Sequence, residues 1–341
     1  MLEQIIKDIN LKLNNEYEHD FKVVSEELKN FENSELLKDL EIYYSIKLYI
    51  LSIKSGKEEL DLIVQKGIGL FKEKIDNFIK RLTNDKIKNL ELDVLTEIEK
   101  IEDFKEFDED ELRTYSFKSD DEILVYLSIC GDKEKFRICP YNFSLLYYVN
   151  AIINLRLKNY KVARHNFVKA LRWNPMDLTA LYEMVETYQL EEDNHRFYQE
   201  ILKAMEITYK RSYLARAYKM LGQYFLNENK LEQALALYGH STYYNNDKNV
   251  IEFMKQLEEK HQIKYKNQNV VLLDVCNEYN IALGGSEKLL SCLVDFYGYL
   301  INSEDLDSAY NLLKVIYDLT LDEEIKKNLD NLASIIGEVN E

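Results

Sequence analysis

Turn-forming residues are scarce in this chain, which has 10 glycines and 2 prolines in 341 residues. Sandwiches and barrels need a turn every few residues, and so little glycine and proline cannot supply them. Leu, Lys, Glu and Ile dominate instead, so an all-α fold is expected. Cysteine is equally sparse: Cys130, Cys139, Cys276 and Cys292 form no CxxC and no paired framework, which suits small apolar fillers in a reducing compartment. Long apolar runs are missing too. "IYYSIKLYILSI" is interrupted by Lys47 and "VVLLDV" falls far short of the roughly 20 residues that span a bilayer. The start "MLEQIIKDIN" lacks the basic flank and apolar core of a signal peptide. A cytoplasmic chain with no membrane partner is expected.

Positive charge is the last deficit. A formal net charge of -17 argues against nucleic acid, whose phosphates are bound by Lys and Arg. Catalytic signatures are absent as well: there is no GxSxG, no P-loop and no GxGxxG. The histidines (His19, His165, His195, His240, His261) form no HExxH and no pair on one helical face. Gly67 and Gly69 make a bare GxG with neither a following GKS/T nor a preceding strand, so a close helix crossing is the better reading. The chain is therefore expected to be non-enzymatic, with no metal and no cofactor.

What is present is a repeat. "NYKVARHNFVKALRWNP" puts Ala163, Phe167 and Ala170 at helical spacing and stops at Pro175, which lacks an amide donor and restricts Asn174 before it. Tyr147, Ala163 and Ala170 have counterparts 34 positions later in Leu181, Phe197 and Ala204. One helix-turn-helix fills that period. Small residues at Ala151 and Ala163 let its two helices, A and B, approach closely.

These residues resemble the tetratricopeptide repeat family, with Tyr147, Ala151, Ala163, Phe167, Ala170 and Pro175 at the expected places of a unit starting at Ser144. A second unit has Leu181, Met184, Val185, Tyr188, Ile201 and Ala204, with Phe197 where a small residue is usual. A third, displaced by three residues, has Leu221, Gly222, Phe225, Ala234 and Tyr238. A fourth aligns Leu293, Phe296, Leu300, Leu306, Ala309 and Leu313. The resemblance implies a right-handed α-α superhelix preceded by an N-terminal helical region. It divides the chain into a helical bundle (residues 1–105), an acidic linker (106–142), three repeat units (143–248), a degenerate helix pair (249–286) and a fourth unit with a capping helix (287–341). Gly284, Gly285 and Ser286 are expected to form a turn and an N-cap.

By the same resemblance, the stacked A helices line a concave groove for a protein or peptide. The residues expected to face it are Tyr148, Ile152, Tyr182, Glu186, Gln189, Arg216, Lys219 and Gln223. Apolar at one end and cationic at the other, such a groove suits a segment with an apolar anchor and an acidic portion. Tyr148 and Tyr182 serve equally well as packing residues between repeats. Lys219 and Asn227 echo the clamp that some family members close on a C-terminal carboxylate, while Tyr148 and Glu183 depart from it.

Two functions stand at this point. One is a scaffold that binds a polypeptide segment. The other is a peptide-responsive signalling regulator similar in layout to Rap-type proteins, with the N-terminal bundle as effector or phosphatase module. Residues 91–122 hold 14 Asp and Glu against 4 Lys and Arg. They read either as a hydrated linker or as a strap that uses Phe107, Leu112, Tyr115 and Phe117 as apolar contacts.

Overall fold

The computed structural model describes every residue except 58, 84–86, 103–112, 132–134, 263–267 and 340–341. Helices dominate the described residues, as expected. In chain order they are α1 (Leu2–Asn10), α2 (Tyr17–Lys29), α3 (Leu37–Lys54), α4 (Leu62–Arg81), α5 (Ile87–Glu102), strand β1 (Arg113–Tyr115), α6 (Asp120–Cys130), strand β2 (Phe136–Ile138), α7 (Phe143–Arg156) and α8 (Tyr160–Trp173). There follow α9 (Leu178–Leu190), α10 (Asn194–Glu206), α11 (Arg211–Asn227), α12 (Leu231–Tyr244), α13 (Lys248–His261), α14 (Gln268–Tyr279), α15 (Glu287–Asn302), α16 (Leu306–Thr320) and α17 (Glu323–Val339). No helix among the described residues is long and apolar enough to cross a membrane.

The chain divides into two compact units, one of residues 1–116 with 135–173 and the other of residues 117–134 with 174–341. This division cuts through the run of repeats: α7 and α8 belong with the N-terminal helices. In the first unit an aromatic cluster accounts for that grouping. Tyr141 and Phe143 stack on each other at 5.7 Å, and Phe71 of α4 meets both edge-on at 5.7 and 5.5 Å. Tyr49 of α3 and Trp173 of α8 complete it, at 5.8 Å from Tyr141 and 4.8 Å from Phe143. Each such contact adds about 0.5–1.5 kcal/mol beyond area burial. The short strands pair in parallel, Arg113 opposite Phe136 and Tyr115 opposite Ile138. Between α7 and α8 runs a chain of amides: Asn150 donates to Asn166, Asn154 to Asn150 and Asn159 to Asn154.

The repeat has a backbone signature. Lys158, Glu192, Asn229 and Glu304 take left-handed conformations with φ of 61, 60, 58 and 61°. At each of the four, the next residue's amide donates five residues back, Asn159 to Asn154, Asp193 to Tyr188, Lys230 to Phe225 and Asp305 to Leu300. The left-handed residue itself donates to the carbonyl three before it. This is the Schellman turn, which satisfies the last carbonyls of a helix and reverses the chain. Its spacing of 34, 37 and 75 residues matches the register read from the small residues. Ala151, Ala163, Phe167, Ala170, Ala234 and Ala309 are all fully buried. Phe197, in place of a small residue, is buried as well.

The structure differs from the expected division in two places. The supposed linker is structured wherever it is described: residues 113–142 carry β1, α6 and β2, while 106–112, with Phe107 and Leu112, lie outside the described residues. Ser119 caps α6 through the amide of Glu122, and Glu122 accepts the amide of Lys118. The acids of "SDDE" thus sit at a helix N-terminus, where the backbone dipole favours them. Within the second unit α6 packs on α15 and α16, and the side chain of Glu122 also accepts from buried Asn174. Burial pushes the Glu122 carboxyl upward against those two hydrogen bonds. Tyr115, in β1, packs on Phe136, and Phe117 packs on Tyr126 of α6.

The expected helix pair corresponds to α13 and α14, of which α14 packs chiefly against α12. Tyr279 anchors the end of α14 to α10, α11 and the start of α12: its carbonyl accepts from Tyr198, its hydroxyl accepts from Lys230 and its ring meets Phe225 edge-on at 4.8 Å. The other difference is the boundary between the compact units described above. Ser286 caps α15 as expected.

Gly67 marks the close crossing of α3 and α4, because a Cβ there would lie 1.8 Å from Ser45 Oγ, whereas one at Gly69 would meet nothing within 4 Å. Gly67→Ala is expected to cost about 1–3 kcal/mol. Gly69→Ala is expected to stabilise by up to about 1 kcal/mol through helix propensity. Urea unfolding of the two variants checks this, and equal effects of the same sign contradict the crossing.

Candidate binding site

Two of the eight expected groove residues belong to the first unit. Tyr148 is half-buried with its ring 5.9 Å from that of Phe167, and Ile152 is half-buried on the same helix, α7. The other six belong to the second unit, and five of them converge. A cleft of about 310 Å³ is lined by Glu186 and Gln189 of α9 and by Arg216, Lys219 and Gln223 of α11. The hairpin geometry brings them together: each Schellman turn sends the chain back along its partner helix, so α9 and α11 come to share a face.

Tyr182 does not join them. It is fully buried, its hydroxyl bonds to Thr208 Oγ1 at 2.8 Å, and burial drives its ionisation far above the usual tyrosine range. Its role is packing between α9 and the α10–α11 connection. Asn227 is also occupied, donating to Asn194 and accepting from Gln223.

Charge in the cleft is dominated by one fork. Arg216 Nη2 donates to Glu183 at 3.0 Å and to Glu186 at 2.8 Å, and Nε donates to Glu186 at 3.2 Å. The guanidinium also lies over the Tyr182 ring, 5.8 Å from its centroid. Burial alone would lower the Arg216 pKa, but the two glutamates outweigh it and hold the guanidinium more firmly charged. Lys219, one helical turn along, is exposed and has no ion-pair partner among the described residues.

The opposite wall comes from residues that the sequence reading assigned to packing or did not consider. Tyr238 of α12 donates to Gln223 at 3.0 Å, and its ring is the reason position 222 is glycine, where a Cβ would come within 2.9 Å of it. Asn245, Asp247 and Val250 complete that wall. Asp247 caps α13 through the amide of Asn249. The signal for this wall was present in "NND" before a helical stretch, a cap pattern that places polar groups at the mouth of a helix.

Elsewhere in the second unit, Tyr218, His240 and Tyr244 pack together. His240 meets Tyr218 edge-on at 4.4 Å, and Arg211 lies 4.8 Å over Tyr244 while donating to its carbonyl. Among the described residues no cluster of His, Cys, Asp and Glu is placed to hold a metal ion. The chain matches no protein-family model and no curated protein.

His240 yields a pH prediction. Burial lowers its pKa from 6.5 to about 4, so the unfolded chain binds the proton first as pH falls. Stability attributable to this ring is therefore complete above pH 6.5 and is lost progressively down to about pH 4. With part of the ring still in solvent the loss should be about 1–2 kcal/mol. Chemical unfolding of the parent and of His240→Gln at pH 7 and pH 4.5 measures it: the gap between them should narrow at the lower pH. An unchanged gap contradicts the assignment.

Proposed function

We propose that this protein is a non-catalytic, cytoplasmic helical scaffold of the tetratricopeptide type, whose A helices form the concave side of a right-handed superhelix and bind a polypeptide segment there. The observation that carries the reading is the convergence of Glu186, Gln189, Arg216, Lys219 and Gln223 on one cleft. The cleft has polar groups for orientation and apolar lining residues in Met220 and Val250, the composition of a peptide site. Lys219 supplies an unpartnered cation for a carboxylate on the segment. The reading needs no cofactor and no nucleic acid or membrane partner.

A second reading, the peptide-responsive regulator, is favoured by the division into two compact units, with the N-terminal helices in one and the cleft in the other. There the N-terminal helices are the effector part.

The probe for both is a labelled octapeptide with an aromatic anchor and one glutamate. Lys219→Glu should weaken its binding about tenfold or more, through lost attraction and new repulsion, while the melting temperature stays within about 1 °C because the side chain is exposed. Equal affinity in variant and parent contradicts the cleft assignment. A regulator changes its radius of gyration on adding the peptide, and a plain scaffold does not.

A further inference from the structure

The cations of the cleft differ in what they have left to offer. A guanidinium presents five donors in a rigid fork, and an incoming carboxylate is held best when two of them bind it side by side. In Arg216 both Nε and Nη2 already serve the glutamates, and both glutamates are partly buried. A ligand carboxylate that took this fork would leave Glu186 and Glu183 unpaired in a partly desolvated place, at a cost that offsets the new bond. Lys219 has three ammonium donors in solvent and no such commitment. Glu186 and Asp247 line the same cleft and repel any further negative charge.

We propose that Glu183 and Glu186 are the specificity-determining residues of this cleft: by occupying Arg216 they leave Lys219 as the anion-accepting group, so the cleft takes a polypeptide segment with a single carboxylate and discriminates against a run of acids. The proposal rests on the peptide-binding reading above. Removing the two glutamates frees a second cation and removes two repelling charges, so the preference inverts. Glu183 stands behind the fork without lining the cleft, and it therefore acts through Arg216 and never touches the ligand.

The test uses the full chain and two labelled octapeptides with the same aromatic anchor, one with a single glutamate and one with two glutamates three positions apart. The parent should bind the one-glutamate peptide about fivefold more tightly, and E183Q/E186Q should prefer the two-glutamate peptide, whose affinity rises about tenfold. E183Q alone, which keeps the bonds from Arg216 to Glu186, should shift the preference in the same direction by a smaller factor, and it decides the matter where the double variant does not fold. An identical charge preference in parent and variants overturns this proposal and leaves the peptide-binding reading standing. Failure of the parent to bind either peptide overturns both.

Discussion

The structure depends on one local event, the reversal of the chain at a left-handed residue after each A helix. An α-helix ends with unsatisfied carbonyls, and the Schellman turn satisfies them while sending the backbone back on itself. Lys158, Glu192, Asn229 and Glu304 all adopt the conformation that glycine takes most easily, at a cost of about 1 kcal/mol each. That strain is tolerated because both helices of each hairpin then bury a continuous apolar seam. Small side chains set the seam's width: Ala163, Ala170, Ala234 and Ala309 are fully enclosed, and Gly222 gives its space to the Tyr238 ring.

The proposed function rests on what the reversal leaves uncovered. Within the second unit α9 and α11 leave one face uncovered together, and that face carries charge. Arg216 and its glutamates tie α9 to α11 across the cleft, and in the proposed reading this pairing takes Arg216 out of circulation as a binding cation. Lys219 gains its importance from that arrangement. The polar junction of Glu122, Asn174, Lys118 and Asp177 plays a comparable part at the start of α9, where α6 is fastened within the second unit.

Much of the helical frame was legible in the sequence, because burial of alanine and aromatic residues at a fixed period is a local pattern. The stop at Pro175, the cap at Ser286 and the close approach at Gly67 were legible for the same reason. Three of the four left-handed residues were not, since Lys158, Glu192 and Glu304 are residue types that give no turn signal, and only Asn229 is of a type that favours this conformation. Helix α6 was hidden because a block of acids reads as solvated chain, although Ser119 and Glu122 stand at capping-box spacing. Tyr182 was misplaced because tyrosine serves cores and interfaces alike, and only the hydroxyl of Thr208 decides between them. The position of α14 rests on Tyr279 meeting residues about 50 and 80 positions away, which no local period encodes. Of the site, the five cleft residues on α9 and α11 were visible, while the far wall from Tyr238 to Val250 needed the fold.

The most direct measurement is hydrogen exchange of the full chain with and without the one-glutamate octapeptide. A ligand held between the outward faces of neighbouring A helices should slow exchange in residues 179–189 and 212–223 and leave α3 and α4 unchanged. Protection confined to α1–α5, with α9 and α11 exchanging as before, contradicts the account.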